Sequence, residues 1–156
     1  CHRSANPVGR IVLWLCGRRE TELHQWSDSI CTALQLTNFW QDLAIDLMEM
    51  DRCYLPREIL GAHGVTETDL KSGVMFPGLR AAVAEAAGRT RALFETGRPL
   101  LDALDGLLGL EIRLTWLGGT SVLERIERPE YDPFRERPVL SRWDWTGLTV
   151  KALARR

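Results

Sequence analysis

A chain of 156 residues with 20 basic side chains, 21 acidic ones and 45% hydrophobic content is composed like one soluble globular domain. That excludes disordered, collagen-like and low-complexity classes. A net charge of −1 excludes a dedicated nucleic-acid binder, whose phosphate contacts need a basic excess. No apolar run approaches the ~20 residues that span a bilayer.

In chain order the sequence reads as helices. Pro7 opens a first helix running to about Gly17, because proline is tolerated in the first helical turn. From about Thr21 to Met50 there is no Gly or Pro, which predicts one long central helix. Residues 51–64 hold Pro56 and two glycines and predict a break with one short turn. Thr66 to Asp69 carries an N-terminal capping signal for another short helix. Pro77 starts a strongly helix-forming stretch, and Pro99 marks a kink or restart before a helix from about Leu100 to Arg125. Gly106, Gly109, Gly118 and Gly119 in that helix permit close packing. Pro129, Pro133 and Pro138 make residues 128–142 irregular, and a last short helix follows Asp144. Sustained strand alternation is missing, so the fold class is all-α.

Cys1, Cys16, Cys31 and Cys53 form no CxxC pair, which points to reduced, mostly buried cytosolic thiols. His2, His24 and His63 show no metal-ligand spacing. Cys1 is not Met, and no charged or apolar leader follows it, so no signal peptide is read; the chain is either processed or lacks its beginning. Eighteen of the basic residues are Arg, a bias that GC-rich coding produces and that also suits phosphate contacts.

The chemistry-bearing feature lies on the long helix. At ~100° per residue, Gln35, Asn38, Asp42 and Asp46 share an arc of roughly 80°. Asp42 and Asp46 stand about 6 Å apart along the axis, close enough to repel. A solvated polar face is one reading. Apolar flanks (Phe39 on one side, Leu34 and Ile45 on the other) favour the wall of a polar cavity within a bundle. Carboxylates there need a cation or several donors. Oxygen ligands at this spacing suit Mg²⁺ shared with a substrate phosphate, provided that another helix adds carboxylates.

The stretch QLTNFWQDLAIDLMEMDRCYLP resembles the second aspartate-rich signature of the squalene and phytoene synthase family. Gln35, Asn38, Asp42, Asp46, Arg52, Tyr54 and Pro56 fit its order. CHRSANPVGRIVL and EYDPFRERPVLSRWDW are similar to flanking family segments, and SANPVGR, TALQLTNFWQD and LEIRLTWLGGTSVLERIE are most similar to the hydroxysqualene synthase branch of the bacterial hopanoid pathway. Gln41 replaces the family's usual Arg and Ile45 its usual acidic residue, the first of which removes a cation near the diphosphate. The family's first aspartate-rich motif is absent.

The resemblance implies an isoprenoid-synthase-type helical bundle, with residues 1–156 as the C-terminal part of one squalene/phytoene synthase-like domain. It implies conversion of presqualene diphosphate to hydroxysqualene and diphosphate, with Mg²⁺ and without NADPH. Asp42 and Asp46 would be catalytic and hold the metal. Ser4, Ala5, Gly9, Gln35, Asn38, Asp42, Asp46, Arg52 and Tyr54 would bind substrate, with Arg137 a further candidate phosphate contact. An alternative for Arg52 is a surface ion pair, and for Tyr54 core packing; Trp40, Trp116 and Leu114 read as core. Sibling readings are squalene, phytoene or presqualene diphosphate synthase joining two farnesyl-type diphosphates, and another class is a non-catalytic assembly factor. Half a metal site implies that this polypeptide alone is inactive. The remaining expectations are a cytoplasmic location, peripheral contact with the inner membrane face through the Arg-rich, Trp-bearing tail, neighbouring hopanoid-pathway enzymes as partners, and no nucleic acid.

Overall fold

The computed structural model describes residues 1–154. They form nine helices and no strand: α1 (Ala5–Leu15), α2 (Thr21–Gln41), α3 (Leu43–Met48), α4 (Arg57–Ala62), α5 (Glu67–Lys71), α6 (Pro77–Gly97), α7 (Leu100–Ala103), α8 (Gly106–Ile126) and α9 (Arg142–Ala154). The all-α expectation holds.

Helix α2 is the centre, contacting α1, α6, α7 and α8. Its buried residues Leu23, Ile30, Ala33, Thr37 and Trp40 recur at helical spacing and meet the Ala-rich side of α6, where Ala82, Ala86, Ala87 and Phe94 are buried. Trp40 and Trp116 belong to this core, as expected. The Trp40 indole donates to Thr90 Oγ1 at 2.8 Å, and that hydroxyl donates to the Ala86 carbonyl at 2.9 Å. A Cβ on Gly119 would stand 2.5 Å from Leu34 Cδ2 and 2.8 Å from Phe94 Cζ, so this glycine sets how closely α8 seats on α2 and α6.

Several expectations need correction. The long helix breaks at Asp42, which takes φ −98° and ψ 10°. Asp42 N–H still donates to Asn38 O, and Asp46 N–H to Asp42 O, both at 2.9 Å. The break is therefore a joint between nearly continuous helices, made without Gly or Pro. The helix expected from Leu100 splits because Leu104 and Asp105 are extended, and α8 opens on Gly106 at φ 58°. Helix α9 starts earlier than expected because Ser141 and Asp144 cap it reciprocally: Ser141 N–H donates to Asp144 Oδ2 at 2.6 Å, and Asp144 N–H to Ser141 Oγ at 3.2 Å. None of the cysteines is buried: Cys16 and Cys53 are exposed, Cys1 and Cys31 half-buried. Cys31 lies where α2 meets α1 and borders a cleft, which leaves its side chain only partly covered.

Other expectations hold. The short turn in 51–64 is α4, and α5 opens on a full capping box between Thr66 and Asp69. Pro77 stands at the start of α6, where its missing N–H costs nothing. Residues 128–141 are irregular but pinned at successive points. Arg80 donates to the carbonyls of Pro129 and Tyr131; the buried Tyr131 hydroxyl donates to Trp40 O at 3.3 Å. Gln41 Nε2 donates to Pro138 O, and Arg125 to Val139 O. This strap crosses the α2–α3 joint, which is how a residue near position 137 reaches a residue near position 42.

Candidate active site

A cleft of about 500 Å³ opens along α1, α2 and α3, lined by Ala5, Val8, Cys31, Leu34, Gln35, Asn38, Phe39, Asp42, Asp46 and Tyr54. Gln35, Asn38, Asp42 and Asp46 thus form one polar wall with Leu34 and Phe39 at its edges. Of the predicted apolar flank, Ile45 instead faces outward, 41% exposed.

Helix α1 forms the other bank. It is tied to α2 by Ser4 Oγ donating to Gln35 Oε1 at 3.0 Å, Thr32 Oγ1 donating to the buried Asn6 Oδ1 at 3.0 Å, and the Arg10–Asp28 ion pair. Ser4 therefore sits beside the cleft, holding Gln35. Gly9 lies at the helix–helix contact and not in the lining: a Cβ there would be 2.4 Å from Ser27 Oγ and 2.6 Å from Cys31 Sγ.

Past α3 the chain turns at Asp51, a non-glycine residue at φ 49°. That turn returns Tyr54 to the cleft, where its ring stacks on Phe39 at 4.0 Å between centroids and 5° between planes. Tyr54 is 38% exposed, a site edge and not core. Arg52 lines a neighbouring cleft of about 660 Å³ with Arg57 and Lys71. Its backbone N–H donates to Asp46 O at 2.8 Å, and its positive charge acts on the Asp46 carboxyl. The ion pair with Asp51 or Glu49 does not form; Arg52 makes no salt bridge with any described residue.

The electrostatics follow from this placement. Burial, and then the neighbouring Asp42 charge, raise the Asp46 pKa above the ordinary carboxylate value, while Arg52 opposes the shift. Arg137 Nε donates to Asp42 Oδ1 at 2.5 Å, so the strap supplies a cation beside the carboxylate pair. Gln41 faces the strap and not the cleft, its amide spent on Pro138 O. Cys31 was not singled out from sequence, although it falls inside the same ~80° arc as the stripe. Burial pushes its thiol pKa up, keeping it protonated and a poor metal ligand at neutral pH.

The donors on the polar wall are two carboxylates and two amide side chains, which suit a hard, oxygen-seeking cation of the Mg²⁺ type. Among the described residues no group of three or more His, Cys, Asp or Glu gathers at one point. The wall can hold such an ion only with oxygens from elsewhere.

Across the α2–α3 joint, Asp42 and Asp46 stand on the polar wall of a cleft whose other lining is partly apolar. The profile of the Squalene/phytoene synthase family matches residues 1–144. The chain is 35% identical to the phytoene synthase of Thermus thermophilus, over 97% of this chain and 52% of that one. It is 36% identical to the hydroxysqualene synthase of Rhodopseudomonas palustris, covering 88% and 46% of the two chains. The crystal structure of squalene synthase HpnC from Alicyclobacillus acidocaldarius superposes with a TM-score of 0.80 at 38% identity, over 85% of this chain and 50% of that one. The chain belongs to the squalene/phytoene synthase family, and it spans about half the length of the relatives it matches.

Proposed function

We propose that this chain carries the second aspartate-rich wall of an isoprenoid synthase that converts presqualene diphosphate to hydroxysqualene and diphosphate. The observation that carries the reading is the convergence of Gln35, Asn38, Asp42, Asp46 and Tyr54 on one cleft. Support for the branch comes from hydroxysqualene synthases of two organisms at 36% and 34% identity and from the HpnC likeness.

Asp42 and Asp46 would hold Mg²⁺, which when bound supplies charge neutralisation for the departing diphosphate. Gln35 and Asn38 orient water or phosphate oxygens by hydrogen bonds from the same face. Arg137 brings a guanidinium to the head of the cleft, and Arg52 adds positive charge beside Asp46. Ala5, Val8, Leu34 and the stacked Phe39–Tyr54 pair present apolar surface to the prenyl chain and exclude water from it. The product oxygen comes from water, so the reaction needs no NADPH.

The sibling reading, head-to-head joining of two prenyl diphosphates, is favoured by the phytoene synthase relative at 35% identity. One experiment separates the two. Residues 1–156 replace the matched part of the Rhodopseudomonas palustris hydroxysqualene synthase, and the chimera receives presqualene diphosphate or farnesyl diphosphate with Mg²⁺. Hydroxysqualene from presqualene diphosphate is the expected result. Consumption of farnesyl diphosphate alone moves the assignment to the siblings, and an inactive but folded chimera moves it to a non-catalytic role. No described helix is long and apolar enough to cross a membrane, so any membrane contact is peripheral or lies elsewhere.

A further inference from the structure

Helix α9 is apolar on two sides. On the side that packs on α8, Leu148 and Ala152 are buried, and a Cβ on Gly118 would stand 3.3 Å from the Trp145 ring. The outer side carries Trp143, Val150 and Leu153, which are 86%, 63% and 49% exposed. At ~100° per residue these three share an arc of roughly 80°, with the exposed Thr146 between them. The outer face of a surface helix is normally polar, and an apolar patch there marks a contact with something else. So exposed a Trp adds little to the core.

Charge around this face has one sign. Asp144, the only acidic residue in α9, is taken by Arg125 at 2.8 Å and by the Ser141 hydroxyl at 2.7 Å. Arg142 lies on one side of the arc and Lys151 on the other; both are exposed, and neither pairs with another described residue. An indole flanked by free cations suits the boundary between lipid headgroups and acyl chains, where the ring inserts and the long basic side chains reach phosphates. No described helix is long and apolar enough to cross a membrane, so α9 lies along the surface.

Other assignments fit less well. Thirteen residues make a helix about 20 Å long and roughly 10 Å wide, so this face offers about 200 Å², against ~800 Å² per partner in a stable protein interface. Two copies would also bring like charges together. The exposed Val8, Ile11, Val12 and Leu15 of α1 border the cleft through Val8, and Arg10 on that helix is held by Asp28.

We propose that the outer face of α9, with Trp143 at its head and Arg142 and Lys151 beside it, docks the protein on an anionic lipid surface. Arg137 stands five residues ahead of Arg142, so their Cα atoms are at most about 18 Å apart, and docking brings the head of the cleft close to the lipid. Docking depends on the α9 surface and not on the reaction, so vesicle binding and turnover of the chimera fail independently.

The test is sedimentation of the 156-residue chain with vesicles of phosphatidylglycerol and phosphatidylcholine in equal parts, or of phosphatidylcholine alone, at low ionic strength. Binding to the mixed vesicles should be at least about tenfold the stronger, and salt near about 0.5 M should reverse it. Trp143→Ser should lower the partition coefficient at least about tenfold, and Arg142→Gln with Lys151→Gln about thirtyfold. Val74→Ser, at an exposed site ahead of α6, leaves it intact. Brominated acyl chains should quench tryptophan fluorescence in the parent chain and in Trp14→Phe, but not in Trp143→Phe. Circular dichroism melts check that the variants fold; if Trp143→Ser shifts the melt, Val150→Ser takes its place. The proposal is overturned by no vesicle binding, equal binding to both lipids, binding indifferent to the α9 variants, quenching that Trp14→Phe removes instead, or a homodimer that Trp143→Ser splits.

Discussion

The Asp42 carboxylate accepts a hydrogen bond from Arg137 at 2.5 Å, across 95 residues of sequence. The strap that delivers Arg137 is fixed on both sides of it, by Tyr131 to Trp40 O and by Gln41 to Pro138 O. The guanidinium is thus held at the carboxylate that a divalent cation would use. Both partners are a third or more exposed, 46% and 33%, so solvent screening leaves the pair worth about 0.2–1 kcal/mol. Arg137→Gln should therefore tighten Mn²⁺ binding to the chain by no more than about fivefold, read by the loss of the free-ion electron paramagnetic resonance signal. The same substitution should weaken inorganic diphosphate binding. Mn²⁺ affinity that falls, or diphosphate affinity that does not, removes Arg137 from the site.

Asp46 gives a prediction of opposite sign to the usual loss on mutation. Its folded pKa is raised, by burial and by Asp42, so its contribution to stability is present below the ordinary carboxylate pKa and is lost as pH rises through the folded value. At neutral pH the ionised pair repels. Asp46→Asn should stabilise the chain at pH 7 by a few tenths of a kcal/mol, about the size of an i, i+4 like-charge pair. It should also abolish turnover in the chimera. A lower Tm at pH 7 would show that the Asp46 carboxylate is a structural anchor.

The buried Trp40–Thr90 hydrogen bond sets a test of the core behind the site. Thr90 is fully buried, and Thr90→Val keeps the shape while leaving the indole N–H unpaired. Urea unfolding should show a loss of about 1–3 kcal/mol. A change below that range would mean that water or another acceptor reaches the indole.

Gly9→Ala separates packing from substrate contact. The new methyl would meet Ser27 Oγ and Cys31 Sγ well inside van der Waals distance, so these two buried or half-buried side chains must change rotamer or α1 must move from α2. The expected cost is about 1–3 kcal/mol in a thermal melt, the range for overpacking. An unchanged melt with altered substrate affinity would put Gly9 in the cleft.

The α9 cap should be acid-labile. Hydrogen bonds from Ser141, and then Arg125, lower the Asp144 pKa to about 2. Its contribution is present above the ordinary carboxylate pKa and disappears as pH falls through the folded value, so helicity at 222 nm should drop between about pH 4 and pH 2. Asp144→Asn should remove that component of the titration; an unchanged curve assigns the acid loss to other carboxylates.

Much of this was legible in the chain. The absence of alternation, the Thr66–Asp69 cap and Pro77 announced helices because they act within a few residues. The Gln35–Asp46 stripe was readable because helical periodicity alone puts those side chains on one face, and Cys31 was readable by the same rule though not singled out. The joint at Asp42 was not readable, since no local breaker marks it; it lies where the Arg137 strap crosses. Gly9 carries the same limit: a small residue on a helix reads equally as space for a ligand or contact with a helix, and only the distances to Ser27 and Cys31 choose.

The sequence by itself determined the helical class, the family signature and the acidic wall, because each depends on spacings along one short stretch of chain, and the helical hydrogen bonds that run through the joint at Asp42 keep that register. Only the tertiary structure decided that Tyr54 stacks on Phe39, that Arg52 lines the neighbouring cleft, that Arg137 reaches Asp42, and that one side of α1 stays bare. Those outcomes depend on how separate elements are oriented, and that is set by packing the whole chain around α2, not by any local run of residues.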